Sequence, residues 1–287
     1  MQLAKLFSGQ GAQKEGMGRE IYESSGAASE IIDHAGADIK RLLLEASQDE
    51  LNQTQNAQVA IYTLSVAKYE DFIRNDDRDV CAVAGFSLGE YSALYAAGVF
   101  NFEDGLALIK KRANLMQKIA EATPQGMVAV LGADIATVLE LVENNQQNDV
   151  LQAANFNCPG QTVVAGEIMA LDRLQEDAKN RGIKTIRLPV NIAGHSDLMK
   201  TVADELKIVL DNMDLKEPSL PVISNRTGRP YEMESLREDL ALQVCSPVEW
   251  EKSMRYLLDI GIEDFAEIGV GSTLMGFMRK IREENNV

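Results

Sequence analysis

Two short stretches in the first third of the chain consist almost wholly of apolar residues, and helical patterns lie between and after them. Residues 3–7 and 80–86 lack the alternation of apolar and polar side chains that a half-exposed strand shows. Uninterrupted runs of this kind are typical of strands buried on both faces of a parallel sheet. Apolar positions at helical spacing in 20–45, 56–74 and 103–120 predict helices packed on that sheet. The alternation of strand and helix predicts an α/β fold.

The middle of the chain has a different rhythm, with two strands following each other directly. The predicted elements are strand 127–131, helix 135–144, strand 150–154, strand 161–165, helix 168–180 and strand 184–188. This β-α-β-β-α-β order is that of a ferredoxin-like unit. We therefore expect 124–191 to form a small inserted subdomain, with 1–123 and 192–287 forming a large one.

The last third returns to alternating helices and strands. A helix is predicted at 197–212, a strand at 221–224, a strand at 265–268 and a final helix from about 272. The sequence Ser-Pro-Val-Glu at 246–249 has the pattern of a capping box with proline at the first helical position, which predicts a helix start there.

The composition indicates a soluble globular protein. Of 287 residues, 45% are apolar and 25% are charged, and the formal net charge is -16. Such a surface would repel nucleic-acid phosphates, so we expect no nucleic-acid partner. Because no apolar run approaches the roughly 20 residues of a membrane span and no signal-peptide pattern opens the chain, we expect a cytoplasmic protein without membrane association. Cys81, Cys158 and Cys245 have none of the spacings of a zinc site or a disulfide framework.

A serine lies where the second apolar run ends. Residues 85–89 read Gly-Phe-Ser-Leu-Gly and fit the G-x-S-x-G pattern between a buried strand and a helix rich in small residues. This is the context of a nucleophile elbow, in which a serine hydroxyl is exposed at a helix N-terminus that favours a developing oxyanion. The alternative is a plain structural turn. The motif predicts that Ser87 is a nucleophile and that the large subdomain has an α/β-hydrolase-like core.

A serine nucleophile needs a base, and the chain offers only two histidines. His34 lies within a predicted helix, where an exposed histidine is the ordinary interpretation. His195 lies in a glycine-containing turn that leads into a helix, and such junctions commonly carry catalytic groups. We therefore favour His195 as the base.

Five motifs resemble, in the same order, those of malonyl-CoA:acyl-carrier-protein transacylases, and the resemblance covers nearly the whole chain. The motifs are FSGQG at 7–11, GFSLGEY at 85–91, KRANLMQ at 111–117, NFNCPGQ at 155–161 and GHSDLM at 194–199. Similarity continues through SPVEW at 246–250 to EIG at 267–269.

The resemblance implies roles for particular residues. Ser87 would be the nucleophile and His195 its base, oriented by a backbone carbonyl that falls on Gln243. The backbone N–H groups of Gln10 and Leu88 would form the oxyanion hole. Arg112 would bind the malonyl carboxylate, and a bidentate guanidinium–carboxylate pair is geometrically selective.

The implied activity is ping-pong transfer of a malonyl group from malonyl-CoA to the phosphopantetheine thiol of an acyl carrier protein, in fatty-acid or polyketide synthesis. It needs no metal and no tightly bound cofactor, and the active unit would be a monomer. Two positions depart from the family, because Phe86 replaces the usual histidine and Ser8 replaces the usual proline. Phe86 would enlarge and dry one wall beside the acyl site, and the sequence Ile-Ala-Gly-His at 192–195 lacks the residues that sort related polyketide acyltransferases into malonyl and methylmalonyl types. A branched or larger carboxyacyl group therefore stays open.

Two other functions remain open. A serine hydrolase or thioesterase would share Ser87 and His195, but it would not need Arg112 and would usually add an acidic third residue. A catalytically idle module that docks carrier proteins would keep the fold alone.

An acidic carrier protein would need a local basic patch on this acidic chain. Two groups are candidates: Lys179, Arg181, Lys184 and Arg187, or Arg279, Lys280 and Arg282. Both could equally be solvated helix faces.

Overall fold

A computed structural model describes residues 2–285 as eight strands and thirteen α-helices. The strands are β1 (Leu3–Phe7), β2 (Val80–Gly85), β3 (Gln125–Leu131), β4 (Leu151–Cys158), β5 (Gln161–Glu167), β6 (Lys184–Arg187), β7 (Val222–Ile223) and β8 (Asp264–Ile268). The helices are α1 (Arg19–Ser24), α2 (Gly26–His34), α3 (Ala37–Leu44), α4 (Gln48–Leu51), α5 (Thr54–Asn75), α6 (Gly89–Ala96), α7 (Phe102–Ala122), α8 (Ile135–Gln146), α9 (Ile168–Asn180), α10 (Lys200–Asp211), α11 (Met233–Leu242), α12 (Trp250–Asp259) and α13 (Thr273–Asn285).

The larger sheet is parallel and has the strand order β7-β2-β1-β8. Every residue of β1, including Lys5, is buried, which confirms the prediction of a buried strand. Phe7, the last residue of β1, is in register with Gly85 of β2 and Ile268 of β8. The carboxyl ends of these three strands therefore meet at one edge of the sheet, where their loops can converge.

The smaller sheet is antiparallel and has the order β4-β5-β3-β6. This is the strand arrangement of a ferredoxin-like unit, and α8 and α9 supply the helices of the β-α-β-β-α-β order. A separate apolar cluster that includes Val128, Leu141 and Leu174 fills the space between helices and sheet. The α/β fold with a parallel sheet and an added antiparallel unit is thus confirmed, and the unit occupies 125–187.

The predicted helix start at 246–249 is wrong. Ser246 ends a 3-10 turn in an extended conformation, and α12 begins only at Trp250. The backbone of Val248 is instead paired with β4, donating to the Ala154 carbonyl at 2.8 Å and accepting from the Phe156 N–H at 2.9 Å. Pairing with the smaller sheet therefore outweighs the local capping pattern. The same pairing joins the segment before α12 to the ferredoxin-like unit.

The long helical pattern at 20–45 is divided into three helices. Ser25 caps α2 through its side chain, which accepts from the Ala28 N–H, and Gly36 turns the chain with a φ of 98°. In contrast, the predicted helix at 56–74 is one continuous helix, α5, that is buried along most of its length. None of the described helices is both long and apolar enough to cross a membrane.

Candidate active site

The serine of the G-x-S-x-G motif lies between β2 and α6 with a φ of 51°. Both glycines are sterically required. A Cβ on Gly85 would overlap the backbone of Gly89, and a Cβ on Gly89 would overlap the carbonyl of Phe7. The absence of these two side chains lets α6 approach the sheet closely and gives Ser87 its left-handed turn.

The base predicted from the sequence meets the serine. Nε2 of His195 lies 2.7 Å from Oγ of Ser87, and His195 is 5% exposed. His195 comes from the loop before α10, where its backbone has a φ of 63° and its N–H donates to the Val244 carbonyl. His34, the other histidine, is on the surface and pairs with Glu103.

The surroundings of the imidazole fix its tautomer. Nδ1 lies 2.9 Å from the Gln243 carbonyl oxygen and 3.1 Å from that of Ser246. Because both partners can only accept, Nδ1 carries the proton and Nε2 is free to accept from Ser87. Burial, and then the positive charge of Arg112, lower the pKa of His195 to about 4. The imidazole is therefore neutral at pH 7 and suited to take a proton.

Arg112 of α7 is buried beside the serine. Its Nη1 donates to Oε1 of Gln58 at 2.6 Å and its Nη2 to Oγ of Ser87 at 3.4 Å, while its Nε has no partner among the described residues. The guanidinium carbon lies 5.4 Å from the Tyr91 ring centre. No described carboxylate forms an ion pair with Arg112, and burial lowers its pKa. A buried guanidinium without a carboxylate partner favours the binding of an anion, because an anion would compensate its charge.

The two predicted oxyanion donors lie in loops that contact each other. Leu88 is at the N-terminus of α6, and neither its N–H nor that of Gln10 donates to another residue in the described part of the chain. The Ser87 N–H, by contrast, is occupied by Oδ1 of Asn225 at 2.7 Å. The loop of Gln10 is held against the serine turn because Gly9 packs directly on the Phe86 carbonyl.

Several buried polar residues around the site were not identified from the sequence. Gln58 orients Arg112, and Asn225 binds both the N–H of Ser87 and the carbonyl of Gly85. Glu90, which is fully buried, accepts from Gln243. Gln58 interrupts an otherwise apolar stretch at 57–62 of α5, and this interruption is a signal that the sequence did contain.

The two departures noted in the motifs have clear structural roles. Phe86 packs against Trp250 and Phe277, with ring centres 5.4 Å and 6.2 Å apart. The hydroxyl of Ser8 accepts from the Val270 N–H at 3.0 Å and so ties the first loop to the segment after β8.

The two basic groups differ in their surroundings. In the first, Arg181 pairs with Asp177 and Glu140, and Arg187 pairs with Asp172. The second group lies on α13, the helix whose Phe277 contacts Phe86 next to the serine. Only the second group is thus connected through packing to the candidate active site.

Comparisons with known proteins agree on one family. Residues 6–286 match the family model described as acyl transferase domain. The malonyl CoA-acyl carrier protein transacylase of Bacillus subtilis is 38% identical over 97% of this chain and 90% of its own length. The polyketide biosynthesis protein ThaF of Burkholderia thailandensis is 41% identical over 97% of this chain, which spans only 24% of that protein. A malonyl-transacylase solved in complex with a holo type II PKS acyl-carrier protein superposes with a TM-score of 0.94, at 32% identity, over 99% of this chain and 94% of that one.

Proposed function

The chain belongs to the acyl transferase domain family and is an acyltransferase, and from this premise we propose that it transfers a malonyl group from malonyl-CoA to the phosphopantetheine thiol of an acyl carrier protein. The transfer proceeds in two halves through an ester on Ser87. A solved relative is bound to an acyl-carrier protein, which supports a carrier protein as the acceptor.

In the first half, Oγ of Ser87 attacks the thioester carbonyl while Nε2 of His195 takes its proton. The backbone N–H groups of Leu88 and Gln10 stabilise the oxyanion of the tetrahedral intermediate. The imidazolium then returns the proton to the sulfur of coenzyme A, which leaves as a thiol. In the second half, the carrier thiol gives its proton to His195 and attacks the Ser87 ester. The bond between the malonyl carbonyl and Oγ then breaks, the imidazolium returns the proton to Oγ of Ser87, and the malonyl group leaves as the thioester of the carrier.

The observation that carries the choice of a malonyl group is the buried guanidinium of Arg112, which has no carboxylate partner among the described residues and whose Nη2 lies 3.4 Å from Oγ of Ser87. An acyl group bound to Ser87 places its far end in this region, and a carboxylate there would satisfy both the charge and the free Nε. Such a charge-assisted pair contributes about 1.5 to 3 kcal/mol. This corresponds to a preference for malonyl over acetyl of roughly ten- to a hundredfold.

The competing functions account less well for these contacts. A hydrolase usually has an acidic residue behind its histidine, whereas Nδ1 of His195 contacts two backbone carbonyls. An idle docking module has no need for a serine held in a strained turn 2.7 Å from a neutral histidine.

One chain contains the whole proposed site, so we propose that a monomer is active. The thioester supplies the activated acyl group, and no tightly bound cofactor is required. Because CoA thioesters and carrier proteins are substrates of the cell interior, we place the enzyme in the cytoplasm.

Intact-mass measurement of the protein and its Ser87→Ala variant, after brief exposure to malonyl-CoA, methylmalonyl-CoA or acetyl-CoA, tests the proposal. We expect one malonyl increment in the parent protein, none in the variant, and movement of the increment to a phosphopantetheinylated carrier. An increment lost to water equally fast without the carrier would establish a hydrolase. No increment with any thioester would favour the docking module.

A further inference from the structure

Glu90 occupies a position behind the reacting pair that the mechanism above does not use. It is the second residue of α6, three positions after Ser87, and its side chain is fully buried. Oε1 accepts from the Asn225 N–H at 2.6 Å and from the Tyr231 hydroxyl at 3.0 Å. Oε2 accepts from Nε2 of Gln243 at 2.7 Å. Burying a carboxylate costs free energy even when three donors face it, which indicates that the contacts of Glu90 serve a purpose.

Two of the three partners of Glu90, Asn225 and Gln243, hold the serine turn. Asn225 receives the Ser87 N–H at 2.7 Å and donates to the Gly85 carbonyl at 2.6 Å. Gln243 donates from the same Nε2 to the Ser87 carbonyl at 2.7 Å. The strained residue is therefore fixed at its N–H and at its carbonyl, and Glu90 binds both fixing residues, Asn225 through its backbone N–H and Gln243 through its side-chain amide.

Gln243 also connects Glu90 to the base. The backbone carbonyl of Gln243 accepts from Nδ1 of His195, so one residue binds the carboxylate with its side chain and the imidazole with its main chain. The path from Glu90 to His195 passes through a single residue. The Gln243 carbonyl occupies the place behind the histidine at which a triad would have its acid.

We propose that Glu90 is a positioning residue that sets the geometry of Ser87 and His195 through Asn225 and Gln243. The inference rests on the proposed nucleophile and base, but it is independent of the acyl group. Glu90 does not touch the substrate and transfers no proton in the reaction. The charge of Glu90 matters because the Asn225 N–H and Nε2 of Gln243 can only donate to it. The Tyr231 hydroxyl, in contrast, could turn to accept a hydrogen bond.

Protonation provides a signature of this role. Burial raises the pKa of Glu90 to about 7, against the opposing influence of its hydrogen bonds and of Arg112. The titratable groups that face it are Tyr231 from the segment after β7, Tyr91 from α6 and Arg112 from α7. As the pH falls through about 7, the protonated carboxyl loses acceptor capacity toward Gln243 and Asn225, and the reacting pair is held less well.

The test is the rate at which a fluorophosphonate probe labels Ser87, measured by intact mass from pH 5.5 to 9. The variant is Glu90→Gln, whose amide group would turn a donor toward Gln243 or Asn225. The matched control is Glu267→Gln, which alters another carboxylate that accepts two backbone N–H groups, those of Leu274 and Met275, but has no contact with the site. Circular dichroism and a thermal melt verify that each variant is folded.

We expect Glu90→Gln to label at least about tenfold more slowly at pH 8, because a misplacement of about 1 Å can cost about a hundredfold. Its rate profile should also lack the step near pH 7 that the parent protein shows. Glu267→Gln should match the parent in both respects. Labelling of Glu90→Gln at the parental rate would overturn the inference.

A second variant covers the case in which Glu90→Gln does not fold. Tyr231→Phe removes one donor to Oε1 and leaves the serine turn intact, so the pKa of Glu90 should rise and the step in the labelling profile should move to higher pH. An unmoved step would contradict the inference. Because the probe needs neither coenzyme A nor Arg112, rapid labelling without any malonyl adduct would reject the proposed function while leaving the role of Glu90 standing.

Discussion

Ser87 and His195, whose side chains meet at 2.7 Å, both have left-handed backbones, with φ angles of 51° and 63°. Among the described residues other than glycine, only Gln147 also has a positive φ. Each such residue costs about 1 to 2 kcal/mol relative to the right-handed region. The fold therefore maintains strain at both halves of the reacting pair, where it directs the hydroxyl and the imidazole toward each other.

Replacing Ser87 by glycine should release this strain. We expect Ser87→Gly to unfold with a free energy about 1 kcal/mol greater than that of Ser87→Ala, because only alanine must hold a Cβ at positive φ. Urea unfolding of the two variants measures the difference. At Ser29 within α2 the order should reverse, since glycine is the poorer residue in a helix. If the alanine variant were the more stable one at position 87 as well as at position 29, the turn at Ser87 would not be strained.

The local parts of the site could be predicted from the sequence. The G-x-S-x-G motif lies on contiguous residues, and its steric logic is contained in Gly85 and Gly89. His195 followed by elimination, because the chain has two histidines. Arg112, in contrast, could not be distinguished from an exposed helical arginine by its sequence position, and its assignment needed the resemblance to a family.

The supporting side-chain contacts could not be predicted in this way, because they reach the site through the tertiary fold. The side chains of Asn225 and Gln243 contact Ser87 across 138 and 156 positions of sequence, and no short pattern links them to it. For Gln243 the resemblance implied only the role of its backbone carbonyl. The same limit explains the wrong helix start at 246–249, where pairing of Val248 with β4 outweighed a local capping signal.

Replacing Arg112 by alanine should change the choice of acyl group. Malonyl transfer should fall by roughly ten- to a hundredfold more than acetyl transfer, because only the malonyl group loses a charge-assisted pair. The rates of Ser87 acylation by the two thioesters, measured by intact mass, give this ratio. Equal losses for both would refute the carboxylate role.

Lys111 offers a matched control for that experiment. It is adjacent to Arg112 in α7, but it is exposed and pairs with Glu205 on the surface. Lys111→Ala should leave the malonyl-to-acetyl ratio unchanged, since an exposed pair contributes little. A change in the ratio with Lys111→Ala would show that general charge near the site, rather than the buried guanidinium, selects the acyl group.

The depressed pKa of His195 makes stability depend on pH in a definite direction. The unfolded histidine binds a proton below about 6.5, whereas the folded one does so only below about 4. Between these values the unfolded state holds more protons, so the contribution of His195 to stability rises with pH from about 4 to 6.5 and then levels off.

Urea unfolding of the parent protein and of His195→Gln across this range checks the effect. The difference in unfolding free energy should increase with pH up to about 6.5 and stay constant above it. His34→Gln is the control for loss of a histidine outside the site, because His34 is exposed and pairs with Glu103 on the surface. A flat difference for His195→Gln would mean that the buried imidazole is not held in its neutral form.

Phe86→His introduces the residue that members of the family usually have before the nucleophile. This change should affect packing more than chemistry. The phenyl ring contacts Trp250 and Phe277, so its loss should lower the unfolding free energy by about 1 kcal/mol. Fluorophosphonate labelling of Ser87 should stay within about threefold of the parental rate, which is a barrier change below about 1 kcal/mol, because His195 supplies the base. Phe277→His disturbs the same aromatic cluster from α13 and should cost similar stability. If Phe86→His alone changed labelling by more than about tenfold, the side chain at position 86 would have to act on the reacting pair directly.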